Sequence, residues 1–174
     1  MTEPLLRRAT LEDADALTRL GRQTFVETFV HGFGIPYPAD DLATFLETSW
    51  SREAVARQLA DPEPWWVMDE EGSLVAYART GACGLPHPDA RSSHAELKSL
   101  YVEQRHHGRG LGRALFEVAL AWMQAHGDGP LWIGVWSGNL KAQRFYGHYG
   151  FEKAGEYEYP VGRWRDLEHI LRRG

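Results

Sequence analysis

His94-Ala-Glu-Leu-Lys-Ser-Leu-Tyr-Val102, then His107-Gly-Arg-Gly-Leu-Gly112, then the amphipathic run Arg113 to Ala125, is the stretch that decides the fold. A strand that breaks into a Gly/Arg turn and at once opens a helix offers free backbone N–H groups, aligned with the helix dipole, to a polyanion. The pattern reads as a diphosphate cradle. It lacks the Gly-x4-Gly-Lys-Ser/Thr of a Walker loop, and Arg113 stands where the dinucleotide fingerprint Gly-x-Gly-x-x-Gly wants its last glycine.

A second landmark follows. Leu131-Trp-Ile-Gly-Val-Trp136 is an apolar, β-branched and aromatic run of strand length. Ser137-Gly138-Asn139 then supplies a turn and an N-cap, and Leu140 to Tyr149 reads as a short helix closed by Gly150. Strand alternation from Leu97 puts Leu97 and Tyr101 on one face and Leu100 and Val102 on the other.

The 174 residues suit one domain, and 43% hydrophobic with 25% charged is ordinary globular composition. No apolar run reaches membrane-spanning length and Met1-Thr-Glu-Pro lacks a signal-peptide core, so a cytoplasmic protein is expected, with no membrane partner. The single cysteine, Cys83, excludes an internal disulfide framework and reads as a plain loop thiol. A formal net charge of −5 with no basic stripe argues against nucleic acid. His106-His107 is a poor metal pair, because adjacent side chains point apart and no third ligand stands at metal-site spacing, so no metal is expected.

The element order is α/β. Leu5 to Ala9 is a first strand, and Thr10 with Asp13 starts a helix in capping-box style, carrying Leu17, Leu20, Phe25 and Phe29. His31 to Pro38 is a breaker-rich loop. Helices follow near Asp40 to Thr48 and Ser51 to Ala60, then a hairpin from Trp65 to Asp69 and Leu74 to Thr80, then a loop from Gly81 to Ser93. Phe151 to Tyr159 and Asp166 to Leu171 read as closing strands around Gly162-Arg163-Trp164. The expected assembly is a single α/β (α+β) domain over 1–174, with a mixed, mostly antiparallel sheet of about six to seven strands flanked by helices.

The two landmarks, about 94–125 and 131–151, resemble motifs A and B of the GNAT N-acetyltransferases. Motif A is a strand ending in Val before Gln/Arg-x-x-Gly-x-Gly/Ala. Counting from Val102 favours the frame His107-x-x-Gly110-x-Gly112 over Arg105-x-x-Gly108-x-Gly110, and His107 departs from the usual Gln or Arg. Asn139, Ala142, Phe145-Tyr146 and Gly150-Phe151 match motif B. The outer segments, including Ser51 to Pro62, Tyr37-Pro38 with Asp40-Asp41 and the tail Gly162 to Leu171, are similar to the PaiA-like branch, whose characterised members acetylate polyamines.

The resemblance implies acetyl-CoA as co-substrate, held by Leu100, Tyr101, Val102, His107, Gly108, Arg109, Gly110, Leu111, Gly112, Arg113, Asn139 and Tyr146, with a strand bulge near Leu100 to Val102 freeing an N–H for the thioester oxygen. It implies Tyr146 as general acid to the departing thiolate; packing alone would put Phe145 in the core and leave Tyr146 half exposed. Glu96 is the candidate base, with an ion pair to Lys98 an equal alternative and His94 a second candidate. Direct transfer in a ternary complex to a small amine is the expected reaction, in a monomer or homodimer. Glu27, Tyr37, Asp40 and Asp41 are candidates for binding a polyamine acceptor. An acyl-CoA-binding sensor, and a protein N-terminus or lysine as acceptor, are the other readings.

Overall fold

The computed structural model describes residues 2–174. Seven strands form one sheet: β1 (Leu5–Arg8), β2 (Trp65–Glu70), β3 (Ser73–Ala82), β4 (Ala95–Val102), β5 (Leu131–Trp136), β6 (Glu152–Val161) and β7 (Trp164–Arg173), in the order β1-β2-β3-β4-β5-β7-β6. All neighbours are antiparallel except β4 and β5. That one parallel join requires a crossover, and α4 (Leu111–His126) supplies it.

Local chemistry fixes the helix starts. The Asp13 carboxylate accepts the Thr10 N–H at 2.8 Å and holds the Arg7 guanidinium, so the first strand and the start of α1 (Ala14–Phe25) are tied together. Ser51 accepts the Ala54 N–H and opens α3 (Arg52–Ala60), which follows α2 (Ala39–Ser49). Asn139 accepts the Ala142 N–H and opens α5 (Leu140–Gly147), two residues shorter than the sequence suggests.

The expected loop from His31 begins later. The chain continues from α1 as a π-helical segment, Val26–Gly32, closed by Phe33 N–H to Thr28 C=O at 2.9 Å. The wider turn keeps Phe29 in register with Phe25, and both are buried with Ile35, Phe45 and Val161. A sequence period of 3.6 does not announce this segment, because Gly32 at its end and Gly34 just beyond invite a break, while the wider hydrogen-bond ring carries the helix as far as Gly32.

Two layers cover the sheet. On one face α4 buries Leu111, Leu115, Phe116, Ala119, Leu120 and Met123 against the central strands, and α5 adds Tyr146. On the other, Leu17, Leu20 and Val55 from α1 and α3 pack on Trp65, Val67 and Tyr77. Cys83 is buried beside Leu85, Trp132 and Ile170, and burial raises its thiol pKa.

The simple alternation of β4 is corrected by its backbone. Arg79 pairs with Ser99 but the next residue, Thr80, pairs with Leu97, so Lys98 is an extra residue in β4. This bulge resets the side-chain phase. Leu97, Leu100 and Val102 all pack on the α4 face, while Tyr101 joins the aromatic residues opposite. The bulge lies upstream of the expected position at Leu100 to Val102.

Candidate active site

The turn after β4 is built to leave its amides free. His107 Nε2 reaches the Val102 carbonyl at 2.8 Å, closing the strand end onto the turn. Gly108 and Gly110 then adopt φ of +79° and +77°, conformations that cost an L side chain roughly 1–2 kcal/mol. Gly110 is the N-cap of α4, and the N–H groups from Gly108 to Arg113 have no protein acceptor among the described residues. A Cβ built on either glycine meets nothing within 4 Å. Six unpaired donors beside open space at the positive end of a 16-residue helix fit a diphosphate.

The arginines of the turn divide. Arg113 is exposed, with its guanidinium 3.0 Å from Glu117 one turn along, and is free to swing to a phosphate. Arg109 turns away: its guanidinium binds Glu70 at 2.9 Å and the Thr2 carbonyl at 3.2 Å. Its expected phosphate contact therefore rests on its main-chain N–H. His106 is buried against Glu70 at 2.9 Å and His107 points to Val102, so the two rings serve different partners.

From the cradle the sheet opens. β4 and β5 pair only at Ala95 with Leu131, Glu96 with Trp132 and Leu97 with Ile133, and beyond Leu97 the facing edges part. The gap is lined by Ser99, Leu100 and Tyr101 on one side and Gly134, Val135 and Trp136 on the other, with Asn139 and Tyr146 from the α5 end. An unpaired strand edge offers alternating N–H and C=O groups to the amides of an extended ligand. Tyr146 is 7% exposed and Phe145 is half-buried, the reverse of the packing alternative. The Tyr146 hydroxyl has no hydrogen-bond partner among the described residues, and burial holds its pKa well above the ordinary phenol value, so it stays a donor.

A larger cleft of 480 Å³ adjoins this gap on the α1–α3 face. Phe25, Phe29, Phe45, Trp50 and Trp65 form apolar walls, and Arg79, Glu96, Lys98, Asp166 and Glu168 supply charge. Glu96 is 8% exposed and spends one oxygen on the Gly84 N–H at 2.9 Å and Lys98 at 3.2 Å. The structure thus contains the ion pair and also places Glu96 on the cleft wall. Glu168, which sequence reasoning missed, lines both openings. Burial, reinforced by the Asp166 charge two residues away, pushes its carboxyl up to about 8. Only its alternation within β7 could have flagged it, and that strand carries polar residues throughout.

Other expected residues lie elsewhere. Glu27 accepts the Gln104 N–H at 2.9 Å and a Gln23 amide, tying α1 to the start of the turn. Asp40 is exposed at the first turn of α2. Asp41 is buried and binds the Arg163 N–H at 2.8 Å and its guanidinium at 3.2 Å, bracing the β6–β7 turn. None of the three lines the cleft. Tyr37 touches it only through Asp166, to whose carboxylate its hydroxyl donates. His94 is buried, not exposed, and its Nδ1 accepts from Trp132 Nε1 at 3.0 Å outside the cleft.

Residues 24–151 match the family model described as "Acetyltransferase (GNAT) family", and the chain belongs to this family. It is 24% identical over 174 residues, 99% of this chain and 98% of the relative, to an uncharacterised N-acetyltransferase of Lactobacillus delbrueckii subsp. lactis. It is 29% identical over 165 residues, 92% of this chain and 97% of the relative, to one from Mycobacterium bovis. Its fold is similar to a PaiA N-acetyltransferase from Thermoplasma acidophilum solved with coenzyme A, with a TM-score of 0.74, 15% identity and 99% coverage of both chains. Membership makes the chain an acetyl-CoA-dependent N-acetyltransferase, and the cradle and strand gap fit that co-substrate.

Proposed function

We propose that the protein transfers an acetyl group to a primary amine by direct attack in a ternary complex, with the diphosphate of acetyl-CoA on the Gly108 to Arg113 turn and its pantetheine arm along β4. The single observation that carries this reading is that the two openings share Phe29, Lys98, Ser99, Tyr101, Gly134 and Glu168. A thioester lying in the strand gap would meet an amine from the larger cleft at that seam.

Acetyl-CoA, when bound, supplies an electrophilic carbonyl and a thiolate leaving group. The acceptor enters as an ammonium ion and needs one proton removed before its lone pair can attack. Glu168 is placed for that step, directly or through one water. Its raised pKa lies nearer that of an amine than an ordinary carboxylate's does. Glu96, bound by Lys98 and the Gly84 N–H, is assigned to holding the charge of the cleft wall and to relaying the proton outward. The unpaired main-chain N–H groups of β4 beyond Leu97 stabilise charge developing on the carbonyl oxygen. When the C–N bond forms and the C–S bond breaks, Tyr146 donates its proton to sulfur.

The acceptor is a small amine in this reading, since a 480 Å³ cleft with aromatic walls is of small-ligand size. Of the residues that the PaiA-like resemblance implies for a polyamine, the carboxylates Glu27, Asp40 and Asp41 stand outside the cleft. Following free thiol release from acetyl-CoA across monoamines, diamines, polyamines, amino acids and lysine peptides tests the proposal. Amine-dependent release on a small compound is expected. Release with lysine peptides or protein N-termini only would replace the small-amine reading, and coenzyme A binding without release on any amine would make the chain an acyl-CoA sensor.

A further inference from the structure

The acceptor cleft holds a cation that the fold does not pair. Arg79 projects from β3 into the cleft, is half-buried, and makes no hydrogen bond or ion pair within 4.0 Å to any described residue. Its Nε is sealed from solvent without an acceptor. Trp65 sits directly opposite Arg79 across the β2–β3 pairing, and the guanidinium carbon lies 5.6 Å from the Trp65 ring centre. Trp65 itself is 2% exposed, lines the same cleft, and its Nε1 is also a buried donor with no partner.

Unpartnered buried donors are rare in native proteins and each calls for an explanation, such as strain, a catalytic role or a bound water or ion. Here two occur on facing residues of one cavity, and one belongs to a side chain that is always charged. Glu63, Glu96 and Asp61 lie near enough to act on the Arg79 charge, but none comes within 4.0 Å of its guanidinium. Glu96 is held by Lys98 and the Gly84 N–H, and Glu63 accepts from the Ala82 N–H. Arg57 and Gln58, from α3, line the same cleft and add a further cation and an amide. At the other side of the cleft, across β4 and the strand gap, stand Asp166 and Glu168. The cleft is therefore two-poled, with a cationic donor pole on β3 and α3 and an acidic pole on β7.

Resting on the acetyl-transfer reading above, the geometry points to an acceptor that carries a carboxylate as well as the amine, the carboxylate bound by the Arg79 guanidinium, held beside Trp65, while the amine faces Glu168. A guanidinium held over an indole keeps its charge and its forked donors, which suit the two oxygens of a carboxylate. A second ammonium would meet Arg79 as a like charge, which disfavours diamines and polyamines in this orientation. Arg79 acts here in substrate selection and has no part in the acetyl transfer itself.

The test compares ω-aminocarboxylates of graded length with alkylamines and α,ω-diamines of matched length, by thiol release at low salt. The best aminocarboxylate should exceed its matched alkylamine and diamine about tenfold or more in kcat/KM, chiefly through KM, as expected for uniform binding of a remote group. Added salt should shrink the ratio. In Arg79→Met the ratio should fall toward one, and Arg79→Lys should restore part of it. Equal or better use of the diamine or alkylamine by the unaltered enzyme would overturn the inference while leaving acetyl transfer standing, and so would a ratio unchanged in a folded Arg79→Met. The comparison within the unaltered enzyme decides the matter even where the variant does not fold. Absence of turnover with every amine of the series, lysine peptides included, would instead strike at the acetyl-transfer reading.

Discussion

Tyr146 of α5 and Glu168 of β7 line the same gap between the splayed ends of β4 and β5, and they approach it from opposite faces of the sheet. Tyr146 comes from the α4 face, where Phe116 packs at 5.4 Å between ring centres, and Glu168 from the aromatic cleft. A proton donor and a proton acceptor held on either side of one slot suit a reaction that takes a proton from the nucleophile and gives one to the leaving group.

Tyr146→Phe removes only the hydroxyl, and the ring contacts that hold α5 remain. Its kcat should fall by roughly tenfold or more, general acid catalysis contributing about 10²–10⁴-fold, with coenzyme A affinity changed by less than about threefold. Rapid-quench kinetics and calorimetric titration check the two halves separately. An unchanged rate of the chemical step would remove Tyr146 from its role.

Glu168 should set the pH dependence. Its carboxyl is pushed up to about 8, so kcat/KM should rise with pH through that value as the base ionises. In Glu168→Gln this limb should vanish, leaving a lower rate governed by the free-amine fraction of the substrate. The same shift predicts a stability effect of definite sign. The unfolded carboxyl ionises near 4.5 and the folded one near 8, so between these values the unfolded state binds fewer protons and stability falls as pH rises. Denaturation should show Glu168→Gln gaining on the unaltered protein across that window, and parallel curves would contradict the assignment.

The cradle makes separate predictions for one glycine and two arginines. Gly110→Val forces a β-branched side chain into φ +77°, so the turn must rearrange, and coenzyme A affinity should drop at least tenfold in a protein that still folds. Arg113→Ala should weaken coenzyme A severalfold, with the loss shrinking as salt rises. Arg109→Ala should act mainly on the thermal midpoint, since its guanidinium holds Glu70 and the Thr2 carbonyl. Equal affinity losses for both arginines, with no change in midpoint for Arg109→Ala, would return Arg109 to the phosphate.

Much of this was legible along the chain. The glycine spacing 108-110-112 gave the free amides, because positive φ and helix initiation are local properties. Asn139, Ser51 and Thr10 with Asp13 likewise stood as caps beside the helices they open. What sequence could not carry is long-range. The Lys98 bulge exists only against Arg79 and Thr80 in the neighbouring strand, and it alone sends Leu97 to the same face as Leu100. Asp41 looked like a substrate carboxylate until the β6–β7 turn, 122 residues later, arrived to use it. Glu168 and Arg79 had no motif to mark them; their meaning comes from burial and from the absence of partners in a shared cleft.

The most direct test of acetyl transfer uses acetyl-CoA isotopically labelled in its acetyl group, with the product followed by NMR on a panel of amines. Label should appear as an amide on the acceptor nitrogen, in step with thiol released, and Tyr146→Phe and Glu168→Gln should both slow it. Label found only in acetate, or retained on coenzyme A while the cofactor stays tightly bound, would contradict the account.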